Sequence, residues 1–115
     1  MRKDKFMEIV GSRPKPGKEK EYKEWYHKHI TDMFAFGGLK RVSLSKLYQP
    51  VGEKGPQSPA YITIYEFASR EDIAAFYKTF MAPGNIKNID ISKPLPDSVD
   101  MLWAGYYEPV ETLEK

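Results

Sequence analysis

Apolar residues recur every three or four positions between Glu21 and Arg41, which is the spacing of a helix with one buried face. Around such a helix His29 lies within about 20° of Tyr22, whereas His27 lies on a different side. The pattern therefore predicts a helix from about Lys18 to Ala35. It places His29 towards the interior of the protein and His27 in solvent.

The buried face of this helix is predicted to be largely aromatic. Its other members are Tyr22, Tyr26, Met33 and Phe36, with Trp25 and Ile30 at its edges. Two glycines, Gly37 and Gly38, follow the last of these positions. They are predicted to end the helix by adopting the left-handed conformation that glycine tolerates.

Alternation of side chains and clusters of proline and glycine predict the remaining elements. The predicted strands are Lys5–Ser12, Leu39–Tyr48, Ala60–Ala68 and Asp100–Val110. A second helix, capped by Ser69, is predicted from Arg70 to about Met81. Exposed loops are predicted at Gln49–Pro59 and at Asn85–Asp97.

The order of these elements is βαββαβ, which is typical of the ferredoxin-like α+β fold. We expect one domain over residues 1–115, with a four-stranded antiparallel sheet and two helices on one of its faces. The third strand is apolar on both sides, so the face away from the helices needs a partner. A homodimer in which two sheets pack face to face, a dimeric α+β barrel, is the simplest partner.

Composition narrows the class of protein. Apolar residues make up 41% and aromatic residues 14% of the 115 residues, which favours a packed core. Cysteine is absent and the net charge is +2, so neither a disulfide framework nor a concentrated basic surface for nucleic acid is expected. Neither a signal peptide nor an apolar run of membrane-spanning length is recognised, and a cytoplasmic location is expected.

Two segments, WYHKHITDM…GGLKRVSLSKL and YEFASREDIAAFY, resemble the EthD-like branch of the dimeric α+β-barrel proteins. The resemblance covers residues 22 to 80. Thr31 stands where many relatives carry proline, and the relatives' pattern is not recognisable in Asn85–Asp97. The resemblance implies the ferredoxin-like fold and a homodimer. In the wider superfamily this fold serves cofactor-free monooxygenases, cyclases, isomerases and haem-degrading enzymes.

His29 is the first candidate for catalysis, since an imidazole can act as a base or orient a substrate hydroxyl. Tyr26 is the second, through its hydroxyl group. A pocket between the first helix and the sheet is predicted to bind the ligand. Its predicted lining is Tyr22, Trp25, Met33, Tyr61, Tyr65 and Trp103. The alternative is that these side chains only pack the core and that His29 is satisfied by a carbonyl or a tyrosine hydroxyl.

Two functions remain open from the sequence. The first is a cofactor-independent enzyme, of the oxygenase, cyclase, isomerase or lyase type, for a small apolar or aromatic molecule. The second is a non-catalytic homodimer of the same fold that binds a small molecule or acts in stress. No metal site is predicted, because His27 and His29 lie about 160° apart around the helix. Nucleic acid and membranes are not expected as partners.

Overall fold

The computed structural model describes residues 6–52, 58–78 and 97–115. Within these ranges the elements follow the predicted order. They are β1 (Phe6–Pro14), α1 (Glu19–Phe34), β2 (Leu39–Lys46), β3 (Tyr61–Phe67), α2 (Arg70–Phe76) and β4 (Val99–Tyr107). Tyr77 and Lys78 continue the second helix as a π-helical turn. Its predicted end at Met81 and most of the predicted loop Asn85–Asp97 lie outside the described residues.

The strands form one antiparallel sheet in the order β2-β3-β1-β4. This strand order, together with the order of the elements, is the ferredoxin-like α+β arrangement. The predicted fold class is therefore confirmed. The face-to-face pairing of two such sheets stays a prediction.

Alternation along β3 separates the two faces of the sheet. Tyr61, Thr63, Tyr65 and Phe67 are buried, while Ile62, Ile64 and Glu66 are half-buried on the other side. Their partners on β1 show which residues share the buried side: Phe6, Glu8, Val10 and Ser12. We call this side, which packs against α1 and α2, the helix-facing layer. Contacts of Tyr22 with Tyr61 and of Phe76 with Phe67 define it.

The end of α1 differs from the prediction. The helix ends at Phe34, Ala35 keeps a right-handed conformation, and neither glycine has a positive φ angle. The predicted left-handed glycine cap is therefore wrong. Gly38 serves close packing instead, because a Cβ atom there would lie 2.7 Å from the Oδ1 atom of Asp72 at the start of α2.

α2 begins with the Ser69 cap that the sequence predicts. The Oγ atom of Ser69 accepts a hydrogen bond from the backbone N–H of Asp72 at 3.2 Å. The same hydroxyl donates to the Asp72 carboxylate at 3.1 Å. Ser69 is thus confirmed as the N-cap, and it fixes the side chain that also faces Gly38.

Trp103 lies on the face of the sheet away from the helices, which we call the open face. It pairs with Gly11 across β1 and β4, and a Cβ atom on Gly11 would lie 2.5 Å from the indole ring. The register shifts between Gly11 and Ser12, as in a β-bulge. Ile9, Ile62 and Ile64 are half-buried on the same face, so this chain presents an apolar strip there.

Candidate functional site

His29 lies on the inner side of α1, against β3. Its Nε2 atom is 3.1 Å from the hydroxyl oxygen of Tyr65. Its ring is stacked on Trp25, with ring centres 4.6 Å apart and planes 12° apart, and the edge of Tyr26 contacts it. His27, two positions earlier, is exposed. The predicted orientations of the two histidines are therefore confirmed.

Burial lowers the pKa of His29 to about 4. The desolvated interior penalises the imidazolium form, and the negative charge of Asp32 offsets only part of this effect. Asp32 is also bound by Lys28 at 2.9 Å. At neutral pH the imidazole is consequently uncharged, with one nitrogen that donates and one that accepts.

A chain of hydroxyl groups continues from this site along α1. The Ser12 hydroxyl lies 2.7 Å from the Tyr22 hydroxyl and donates to the Tyr26 hydroxyl at 3.3 Å. Within the described part of the chain, the hydroxyls of Tyr61 and Thr63 are buried without a hydrogen-bond partner. The layer beneath α1 is thus dense in hydroxyl groups, and two of them keep unused hydrogen-bonding capacity.

Glu8, which is not among the predicted site residues, also belongs to the helix-facing layer. It is the one carboxylate among the described residues that is buried, with 8% of its surface exposed. It pairs across the sheet with Tyr65 on one side and Tyr106 on the other. Burial raises the pKa of Glu8 to about 7, close to neutral pH.

A signal for Glu8 is present in the sequence. Alternation along β1 places Glu8 on the same side as Phe6, Val10 and Ser12. A single carboxylate on the apolar side of a strand is unusual, because a buried charge is costly unless it is paired. Tyr106 has no comparable signal, since the register of β4 depends on its pairing with β1.

Most of the predicted site residues come together in the helix-facing layer. Tyr22, Tyr26, Met33, Tyr61 and Tyr65 are each at most 5% exposed, and Trp25 is half-buried beside His29. The residues divide between two packed clusters. Tyr22, Tyr26 and Tyr61 belong to one, and Met33 and Tyr65 to the other.

Trp103 does not join them. It pairs with Gly11, whose neighbours Val10 and Ser12 face the helices, so alternation directs Trp103 to the open face. The prediction that Trp103 lines a pocket beneath α1 therefore does not fit the observed register. The sequence could not show this, because the register of β4 includes an irregularity next to Gly11.

Other features of the described residues limit what this site can hold. No group of three or more histidine, cysteine, aspartate or glutamate side chains in this part of the chain could bind a metal ion. A cavity of about 290 Å³ lies at the far end of β2 and β3, lined among others by Lys46, Leu47 and Ala60. A second groove, of about 260 Å³, lies beside Tyr106. Neither includes His29 in its lining.

The fold and the buried layer together define a small α+β protein of ferredoxin-like topology with titratable groups beneath its helices. The chain belongs to the family described as Domain of unknown function (DUF4286), whose profile matches residues 15–85. A comparison with curated proteins gave no match.

The chain is similar in fold to the solution structure of a hypothetical protein from Arabidopsis thaliana. The TM-score is 0.53 with 17% sequence identity, over 98% of this chain and 94% of that one. This similarity supports the α+β fold only. No helix in the described ranges is both long and apolar enough to cross a membrane.

Proposed function

We propose that this protein is a homodimeric, cofactor-independent enzyme that acts on a small apolar or aromatic organic molecule. The molecule would bind between α1 and the sheet, beside His29 and Tyr65. The reaction would be of the oxygenase, cyclase, isomerase or lyase type, in which a proton moves to or from carbon or oxygen. Membership in the EthD-like branch, which residues 22 to 80 resemble, is part of the same proposal.

The observation that carries the proposal is the contact between His29 and Tyr65, at 3.1 Å inside an aromatic layer. An uncharged imidazole can accept a proton at one nitrogen and donate from the other. Burial raises the pKa of Tyr65, so its hydroxyl keeps its proton and can donate it to a substrate oxygen. The pair is thus suited to orient a substrate hydroxyl or carbonyl group, and no metal is needed for that role.

Access to this pair would be from the side of Trp25. The interior below α1 is closely packed, with Tyr22 and Tyr26 at 0% and 1% exposure. Trp25 is half-buried and its ring covers the imidazole face. A flat aromatic ligand could take the place of the Trp25 ring and keep the stacking contact with His29.

A second candidate function is that of a non-catalytic small-molecule-binding or stress-related homodimer. The hydrogen bonds of Tyr22 and Tyr26 with Ser12 favour it, because they use these hydroxyls within the protein. In that case the layer beneath α1 stabilises the fold, and His29 is a core residue satisfied by Tyr65.

Native mass spectrometry of the protein from its own host tests the proposal, with a repeat under denaturing conditions. The expected result is a dimer that carries a small-molecule mass, which is lost on denaturation. The identified molecule is then assayed with His29→Gln, and with His27→Gln as the control on the same helix. Loss of turnover in the first variant alone supports the enzyme. If His29→Gln lowers only the melting temperature, the assignment of His29 is wrong and the second function is favoured.

A further inference from the structure

The Glu8 side of the helix-facing layer has features that the His29 site does not explain. Glu8 is more than nine-tenths buried between Tyr65 and Tyr106, its partners on the two neighbouring strands. Directly opposed residues in an antiparallel sheet have Cβ atoms about 5 Å apart. Two tyrosine rings therefore flank the carboxyl group.

A surface groove lies beside two neighbours of Glu8, Phe6 and Tyr106. It encloses about 260 Å³ and is lined by Phe6, Arg70, Ile73, Tyr106, Tyr107 and Glu108. Phe6 lies two positions before Glu8 on the same side of β1, and Tyr106 is the direct partner of Glu8 on β4. Phe6 and Tyr106 thus line the groove and lie next to Glu8, which is not itself part of the lining.

Charge determines which ligand such a site favours. Desolvation is what raises the pKa of Glu8, and no cation among the described residues acts against it. At the mouth of the groove the Arg70 guanidinium forms an ion pair with Glu108, which balances its charge. A buried carboxylate is favourable only when it is paired. Aromatic rings such as that of Tyr106 also attract cations over their faces.

We propose that Glu8 and Tyr106, with the groove lined by Phe6 and Ile73, form a binding site for a small aromatic or apolar primary amine. The ammonium group pairs with the Glu8 carboxylate beside the Tyr106 ring. The apolar part of the ligand lies against Phe6 and Ile73. This site goes beyond the proposed function and does not depend on it, since it uses neither His29 nor turnover.

Binding of an ammonium group is coupled to the protonation of Glu8. Among the described residues, the groups that face Glu8 are Tyr65 on β3 and Tyr106 on β4. Tyr77, directly after α2, interacts with Tyr106, and His29 of α1 contacts Tyr65. Burial raises the pKa of Tyr65 and Tyr106, so both stay uncharged at neutral pH. Below pH 7 the ligand must displace a proton from Glu8, so affinity falls by up to about tenfold per pH unit.

Isothermal titration calorimetry with benzylamine tests the proposal, because benzyl alcohol is a neutral probe of nearly the same shape. We expect benzylamine to bind at least about tenfold more tightly than benzyl alcohol at pH 8, with the preference shrinking towards pH 5. Glu8→Gln should remove the preference. Tyr106→Leu, at a partly exposed position, leaves the Glu8 carboxyl group in place and should weaken the binding of benzylamine by several-fold.

Glu66→Gln is the matched control, since it makes the same substitution on the open face of the sheet and should leave benzylamine binding unchanged. The proposal is overturned if benzyl alcohol binds as tightly as benzylamine, if Glu8→Gln retains the preference, or if benzylamine does not bind at 10 mM, roughly the weak end of specific recognition. If Glu8→Gln does not fold, two other results can still overturn the proposal. The first is benzylamine binding to Tyr106→Leu with the affinity of the wild type. The second is wild-type affinity for benzylamine that does not change between pH 5 and 8.

Discussion

At the residue scale, Tyr65 lies between the half-buried imidazole of His29 and the buried carboxyl group of Glu8. Its hydroxyl contacts His29, and its partner on β1 is Glu8. Burial moves both pKa values towards the uncharged forms, that of His29 to about 4 and that of Glu8 to about 7. At pH 7 the layer therefore holds a neutral imidazole and a carboxyl group that is about half protonated.

Glu8 should make the folded protein less stable as the pH rises. Its folded pKa of about 7 is above its ordinary value of 4.5, so between these values the native state binds more protons than the unfolded state. The contribution of Glu8 to stability then falls across this window, by on the order of 3 kcal/mol in all. Because His29 has an opposite effect over a similar range, the quantity to measure is the difference in unfolding free energy between the wild type and Glu8→Gln. In urea unfolding this difference should fall as the pH rises from 4 to 8, whereas the difference for the control Glu66→Gln should not; a difference for Glu8→Gln that does not change with pH would exclude Glu8 as the origin.

His29 should have the opposite effect in a similar range. Its folded pKa of about 4 is below the ordinary 6.5, so the unfolded state binds more protons between these values. Stability gained from the neutral imidazole is complete above pH 6.5 and is lost as the pH falls towards 4. The difference in unfolding free energy between the wild type and His29→Gln should therefore shrink as the pH falls from 6.5 towards 4, whereas the difference for His27→Gln should not change. A difference for His29→Gln that is independent of pH would show that His29 is solvated.

The residues predicted correctly are those whose direction follows from local geometry. A helix fixes the angle between His29 and Tyr22, so their common face follows from their positions in the sequence. The role of Glu8 was missed because its neighbours Tyr65 and Tyr106 come from other strands, and the sequence does not show this pairing. Trp103, a candidate pocket residue, lies on the open face, which the sequence could not show because the register of β4 depends on pairing with β1.

At the element scale, Ser12 links β1 to α1. Its hydroxyl is fully buried and contacts the hydroxyls of Tyr22 and Tyr26. Ser12→Ala would leave both tyrosine hydroxyls without this partner, and each unsatisfied buried group costs about 1–3 kcal/mol. We expect a loss of about 2 kcal/mol or more in chemical unfolding. Ser45→Ala, at an exposed position of β2, is the control.

The double variant of Ser12→Ala and Tyr22→Phe separates the link from the packing. If the hydrogen bond is responsible, the second substitution should cost less in the Ser12→Ala background than in the wild type. Additive losses would mean that the hydroxyl contact contributes little and that the two elements are held by apolar packing alone.

The elements themselves were predictable because their signals are local. The alternation of β3 and the Ser69 cap of α2 both reappear in the structure. The way in which α1 ends was not predictable, because Gly38 serves a tertiary contact and does not cap the helix. Gly38 lies against Asp72, a residue 34 positions later whose approach no local pattern shows.

At the scale of the whole molecule, the open face of the sheet carries the prediction of a homodimer. Ile9, Ile62 and Ile64 are half-buried there, and Trp103 is 37% exposed over Gly11. Ion pairs Arg13–Asp100 and Arg41–Glu66 occupy the same face. An apolar centre with charged groups around it is the usual composition of a protein interface.

Trp103→Glu should convert the dimer into a monomer, because it buries an unpaired carboxylate in the interface. Sedimentation equilibrium at micromolar concentrations would measure the association. Val51→Glu, at a fully exposed position, should leave the dimer intact. A wild-type protein that is monomeric throughout this range would remove the two-sheet arrangement.

The fold was predictable at this scale because six elements in the order βαββαβ allow few arrangements. The electrostatics of the helix-facing layer were not. They depend on Glu8 and His29 sharing Tyr65 as a neighbour, and this contact joins β1, β3 and α1.

If the layer beneath the helices is a desolvated acid–base site, both His29 and Glu8 have shifted pKa values. NMR titration of the His29 ring and the Glu8 carboxyl carbon in the wild-type protein tests it most directly. The predicted result is a pKa of about 4 for His29 and of about 7 for Glu8. Values near the ordinary 6.5 and 4.5 would show that water reaches both groups, and would contradict the account.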